Sequence, residues 1–223
     1  MANAATIQAR VAFGYAKAAT ILGPTFTLYR PAGAGAVIVT GNVVTTLPVV
    51  IASDARLMAT APIASKDDHA FAGIDATIAH AGDYIVGSRV VAGSSPPETW
   101  YVESIDTPSV ARVVRCNRVL SFYRPGSPVP GASFYGGDLT ATESQLLTQW
   151  PSCTVPGTKG EKSDADLPGD TRLPWVVITL PLGVPVAFRA ADFAVDDLGQ
   201  RYLVSQSLAS ARGLYLTASL VVT

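Results

Sequence analysis

Histidine, cysteine and charge are all scarce in this chain. Its 223 residues include two histidines, two cysteines, 16 Lys or Arg and 17 Asp or Glu. His69 and His80 stand in no His-Glu-x-x-His arrangement and beside no cysteine pair, so their spacing supports no metal site. Cys116 and Cys153 are too few for a disulfide framework. They read as buried free thiols, in keeping with cytoplasmic synthesis. Charged residues make up 15% of the chain, against about 25% in an ordinary soluble domain. Basic and acidic residues number seven and eight up to residue 112, then nine and nine. No Lys/Arg cluster marks a nucleic-acid surface. Arg112, Arg115 and Arg118 alternate faces of an extended run and read as a solvated or interface strand rather than a basic stripe.

The motifs of common chemistries are missing too. There is no Gly-x-Ser-x-Gly nucleophile elbow. The run Gly157-Thr158-Lys159-Gly160-Glu161-Lys162-Ser163 lacks the adjacent Gly-Lys-Ser of a phosphate loop. Gly33-Ala34-Gly35 lacks the third glycine of a dinucleotide fingerprint. The acidic pairs Asp67-Asp68, Asp164/Asp166 and Asp196-Asp197 fall in turns or loops, where Asp serves the backbone. These readings assign no catalytic, cofactor-binding or metal-ligating residue and no cofactor. They lead to the expectation that the chain is not an enzyme.

What is abundant is apolar. Hydrophobic residues are 48% of the chain and mean hydropathy is +0.31. That requires a large core, or apolar surface buried between subunits. Residues 31–53 carry no charge, but Gly33, Gly35, Gly41, Asn42 and Pro48 interrupt them. They read as two strands joined at Gly41-Asn42 rather than a membrane span. The N-terminus does not read as a secretory signal, because Gln8, Arg10 and Lys17 break any apolar core. Instead residues 4–22 predict a helix, with Ile7, Val11, Tyr15, Ala18 and Leu22 at helical spacing and Gly23-Pro24 as its stop. Its own sheet or a neighbouring subunit could receive that stripe.

After the helix the pattern is that of strands, and pieces of it recur. Leu28-Tyr29-Arg30-Pro31 returns as Phe122-Tyr123-Arg124-Pro125, and the segment at Asp83 returns at Asp192. Trp100-Tyr101-Val102 returns as Tyr202-Leu203-Val204, and Ala111-Arg112 as Ala211-Arg212. The order is the same in both halves, which points to duplication. The fold class expected is mainly β: an N-terminal helix (1–24) followed by two related antiparallel barrel or sandwich units, 25–112 and 113–223. Residues 113–125 read as one alternating strand. Residues 143–150 fit a short helix or a strand, and Asp196 to Gln200 a tight turn. The stretch from Ser152 to Pro174, with seven charges between Lys159 and Arg172, is the most loop-like part and is expected to be exposed.

The hairpin grammar of Asp192 to Val204, with its Asp-Leu-Gly turn, resembles that of small β-barrel head-completion and neck proteins of tailed bacteriophages. The runs Phe26-Thr27-Leu28-Tyr29-Arg30-Pro31 and Cys116 to Pro125 are also similar to phage virion proteins. The resemblance spans about half the chain, in pieces, and the two-unit arrangement departs from the single barrel of that family. It implies a virion structural protein made in the host bacterial cytoplasm. The expected role is a head–tail connector that forms a homo-oligomeric ring around the DNA channel. Its partners would be portal, adaptor or tail proteins, with DNA passing unbound by sequence and no membrane. The alternatives are a tail-tube, tail-hub or capsid-decoration protein, or a carbohydrate-binding or -processing β protein.

Overall fold

The computed structural model of the chain describes residues 4–52, 69–88, 97–105, 110–126, 142–157 and 175–221. Helix α1 (Ala4–Leu22) precedes a first group of strands: β1 (Thr25–Tyr29), β2 (Val43–Pro48), β3 (Val50–Ala52), β4 (His69–Gly73), β5 (Tyr84–Ser88), β6 (Pro97–Ser104) and β7 (Ala111–Cys116). They form one antiparallel sheet in the order β2-β1-β5-β6-β7-β4-β3. The second group is β8 (Arg118–Arg124), β9 (Ser144–Pro156), β10 (Trp175–Leu180), β11 (Phe193–Asp196), β12 (Arg201–Ser210) and β13 (Gly213–Leu220). These close into a six-stranded barrel, β10-β13-β12-β11-β8-β9. The mainly β class with one N-terminal helix is borne out. No helix among the described residues is long and apolar enough to cross a membrane.

The two groups match strand for strand and register for register. Leu28 pairs with Ile85, and Ile85 with Trp100. Phe122 pairs with Ala194, and Ala194 with Tyr202. Trp100 and Tyr202 therefore hold equivalent places. The ladder slips after Val102 in β6 and after Val204 in β12, and again between Leu28 and Tyr29 and between Phe122 and Tyr123. Both cores keep the scheme with exchanged volumes. Phe26, Leu28, Ala72, Ile85 and Ala111 in one answer to Leu120, Phe122, Ile178, Ala194 and Leu216 in the other, all buried. Large faces small in compensation, as close packing demands.

Among the described residues the two groups differ in topology at a seam. The edge strands β2 and β3 of the first sheet are consecutive in the chain, separated by Val49 alone. They correspond to the two halves of the continuous β9, which pairs with β8 at one end and β10 at the other. In the barrel Arg118 pairs with Ser152. Its counterpart in the first sheet is Pro24, which accepts from the Val49 N–H at 3.0 Å but has no N–H to return. The ladder is interrupted where proline removes the donor.

Each half is tied by the same ion-pair clamp. Arg30 donates from Nε and Nη2 to the two oxygens of Asp83 at 2.8 and 2.7 Å, and from Nη2 to the Ile78 carbonyl. The His80 N–H donates to Asp83 Oδ2 at 2.8 Å. Arg124 repeats this on Asp192 at 2.8 Å twice, and on the Ala187 carbonyl, with the Arg189 N–H in the place of that of His80. The carboxylate hydrogen bond holds both arginines above their ordinary pKa. The residue before each aspartate, Gly82 or Ala191, has a left-handed backbone with φ of 95° and 73°.

Several expectations are corrected. The 112/113 division cuts β7, which belongs whole to the first sheet: Val113 and Val114 pair with β6 and β4. Asn117 alone separates the two groups, so 113–125 is two strands of different sheets, not one. Ala111-Arg112 corresponds in register to Leu216-Thr217, because Val113 and Ala218 are the partners of Val102 and Val204. Ala211-Arg212 lies in a turn. Residues 37–39 are not a strand but part of an irregular arm, ended by a 3-10 turn at Thr40–Asn42. The Asn42 side chain pins this arm through the Ala36 and Val37 carbonyls. Of the two alternatives for 143–150, residues 144–150 take the strand, and 152–156, expected to be loop, continue it. The rest of that stretch, 158–174, lies outside the described residues. The Asp196 turn is as expected, its side chain accepting from the Leu198 and Gln200 N–H groups.

The left-handed position separates the two clamps experimentally. Ala191→Gly is expected to stabilise the chain by up to about 1 kcal/mol, by removing the Cβ penalty. Gly82→Ala should destabilise it by more than about 1 kcal/mol, because the new Cβ would also lie 2.6 Å from the Leu182 carbonyl oxygen. Urea denaturation of both variants reads the two signs.

Candidate assembly surface

Strand alternation gives each half an outward row, formed by the residues between the core positions. In the first sheet it runs Tyr29, Tyr84, Tyr101, Val114, His69, each paired across to the next. Its centre does not face solvent: Tyr84, Tyr101 and Val114 are at most 2% exposed. They are covered by the barrel. The Tyr84 hydroxyl donates to the Pro151 carbonyl at 2.9 Å, and its ring stands edge-on to Trp150 and to Tyr101. Tyr101 packs in the same buried cluster as Cys153, whose partner across the ladder is Thr179. Cys153 and Thr179, paired on β9 and β10, form the flank of the barrel that this row covers, and both are buried.

The arm at 31–42 completes the contact. Thr148 N–H donates to the Ala34 carbonyl and Trp150 Nε1 to that of Gly35, each at 3.0 Å. Val37 is fully buried in the same cluster. A bulge makes this possible. Between Leu147 and Trp150, β9 carries one residue more than β2 has between Thr45 and Leu47. Gln149 takes φ of 49° there, and the Thr148 N–H turns away from the ladder toward the arm.

The barrel has the same outward row: Tyr123, Phe193, Leu203, Ser219, Trp175, again paired one to the next. All five are half-exposed, and they lie outside the buried clusters. Phe193 carries the Arg201 guanidinium 3.9 Å above its ring, and Arg201 is ion-paired to Glu143. Sequence reading did not single out this row, because its members are far apart in the chain and meet only through the register. The alternation in Phe193-Ala194-Val195 and Tyr202-Leu203-Val204 was the available signal.

The flank of the first sheet that corresponds to Cys153 and Thr179 is Val50 and Gly73. Helix α1 lies over it, with the Tyr15 backbone 3.9 Å from a Cβ placed on Gly73. The helix docks through Val11, Ala12, Tyr15, Ala16 and Ala19, not through the full expected stripe. Ile7 and Leu22 are 50% and 74% exposed and Ala18 also faces out.

Among the described residues, those weighed for other chemistry are not brought together. Asp67, Asp68, Asp164 and Asp166 lie outside the described residues, as does the phosphate-loop-like run beyond Gly157. Among the described residues no group of three His, Cys, Asp or Glu side chains could hold a metal ion. Cys116 and Cys153 are not joined by a disulfide. Arg115 and Arg118 pair with Glu98 and Asp196 in separate sheets, at 3.6 and 3.7 Å.

Burial places Tyr84 well above the ordinary tyrosine pKa. The folded chain then keeps a proton that the unfolded chain loses near pH 10, so this stability is present below about pH 10 and falls above it. Tyr84→Phe is expected to cost about 1 kcal/mol at neutral pH by losing the bond to Pro151. Above about pH 10 its stability should decline less steeply than that of the parent. Denaturant titrations across that range measure both effects; an unchanged slope would remove Tyr84 from the alkaline response.

No family model, no curated protein and no solved structure matches this chain.

Proposed function

We propose that this protein is a structural component that works by self-assembly, and that it serves in a tailed-bacteriophage particle as a head–tail connector or neck protein. The observation that carries the assembly reading is the outward row of the barrel. The same row on the first sheet is an interface, and its copy is apolar and half-exposed. An apolar face repeated in the same register favours a protein partner. The phage assignment rests on the hairpin and Tyr-Arg-Pro resemblance.

In this reading the copies form a closed ring around the DNA path, in contact with portal, adaptor or tail proteins and made in the bacterial cytoplasm. Two related halves per copy give a ring of n copies a pseudo-2n symmetry. The balanced charge of each half supports a lumen that is not basic, along which DNA slides without the adhesion that counterion release would bring. Tail-tube, tail-hub and capsid-decoration roles are the near alternatives. A second reading, carbohydrate binding, is favoured by one observation: Tyr123, Phe193 and Trp175 place three aromatic rings on one outward row.

Mass spectrometry and electron microscopy of purified particles test the proposal. The expected result is this chain in the particle, as a ring on the tail axis with a neutral or acidic lumen. Density over the capsid faces would transfer it to decoration, and absence from particles would end the phage reading. Quenching or enhancement of tryptophan fluorescence by oligosaccharides would favour the carbohydrate reading.

A further inference from the structure

The geometry points to head-to-tail association in which the barrel row Tyr123–Phe193–Leu203–Trp175 covers the Val50–Gly73 flank of a second copy, displacing that copy's α1. This deepens the self-assembly reading and rests on it. The fold holds two rows and two flanks of the same register. One row and one flank are joined inside the chain: the row of the first sheet lies on the flank of the barrel. The remaining row is the barrel's, and the remaining flank is that of the first sheet. They occupy the same register positions as the pair already made.

The internal contact supplies the register of the external one. Tyr84 reaches Pro151. Their counterparts are Phe193 and Pro48, since Thr25 pairs with Pro48 as Val119 pairs with Pro151. Tyr101 packs against the Cys153–Thr179 pair, and the counterparts are Leu203 and the Val50–Gly73 pair. Phe193 of one copy is thus placed on Pro48 of the next, and Leu203 on Gly73.

Helix α1 stands where the next row would sit. It leads into β1 through Gly23, as β7 leads into β8 through Asn117. The Asn117 N–H bonds the Ser152 carbonyl, and a Cβ on Gly23 would lie 2.6 Å from the matching Val49 carbonyl oxygen. Yet α1 is lightly held: Ala19 is its one fully buried residue among those described, while Phe13, Ile21 and Leu22 are 69%, 73% and 74% exposed. A single helical stripe substitutes there for a three-stranded face. The contact is heterologous, so repetition closes a ring or extends a filament.

The test uses full-length protein. Leu203→Cys and Gly73→Cys are made in separate chains, mixed and oxidised, and the links mapped by mass spectrometry. Gly73 admits a Cβ, its nearest neighbour being Val50 Cβ at 3.8 Å. The expected result is a 73–203 link between copies. It should increase severalfold with Val11→Glu, which loosens α1, and be lost together with sedimentation as oligomers in Tyr123→Lys. Absence of the 73–203 link in both backgrounds, or links from residue 203 to Cys116 instead, would overturn the docking. Particles that contain the chain without this link would sink the docking alone. A link formed by a chain absent from particles would sink the phage reading alone.

Discussion

A buried carboxylate fixes each half of this fold. Asp83 and Asp192 are 2% and 1% exposed, and an anion so placed is tolerated only when its lone pairs are filled. The bidentate guanidinium fills two of them, and a backbone N–H three residues upstream helps to fill the rest. The aspartate backbone also exchanges bonds with its neighbours: the Val102 and Val204 N–H groups donate to the Asp83 and Asp192 carbonyls. The clamp thus locks together the end of β1 or β8, the loop before β5 or β11 and the register of β6 or β12. A slip of one residue would exchange the outward row with the core face of the strand.

The same row has opposite fates because of what the chain puts beside it. On the first sheet its buried centre is two tyrosines and a valine, and tyrosine rings and hydroxyls suit a dry contact with a polar anchor. On the barrel it carries a serine, and an arginine lies over its phenylalanine. Such a face is compatible with water between encounters. One register scheme used twice thus supplies a buried contact and a copy with a wetter rim.

The repeat was legible where residue identity does the work. Arg-Pro after an aromatic and the isolated Asp are chemically specific, and they mark the clamp. The seam between halves was not legible, because β7 and β8 are separated by Asn117 alone and alternation continues across it. Ala111-Arg112 misled for the opposite reason: small and charged residues recur without constraint, and only the bulge after Val102 reveals the true partner. The arm was misread because Val37-Ile38-Val39 favours a strand, while its actual context is a contact with Trp150 across 115 residues of chain. For α1 periodicity gave the helix, but the face was set by the small residues that let it lie close on Gly73.

The missing donor at Pro24 has a further effect on how the molecule breathes. Around the barrel the hydrogen-bond circuit is complete, so its amides on β9 are exposed to exchange chiefly through global unfolding. In the first sheet the circuit ends at Val49, and β3 is a three-residue strand held from one side by β4. The first sheet can open there like a clasp while its clamp stays shut, by a local fluctuation far cheaper than unfolding. A duplicated architecture therefore contains two unequal foldons, and the weaker one opens beside the helix.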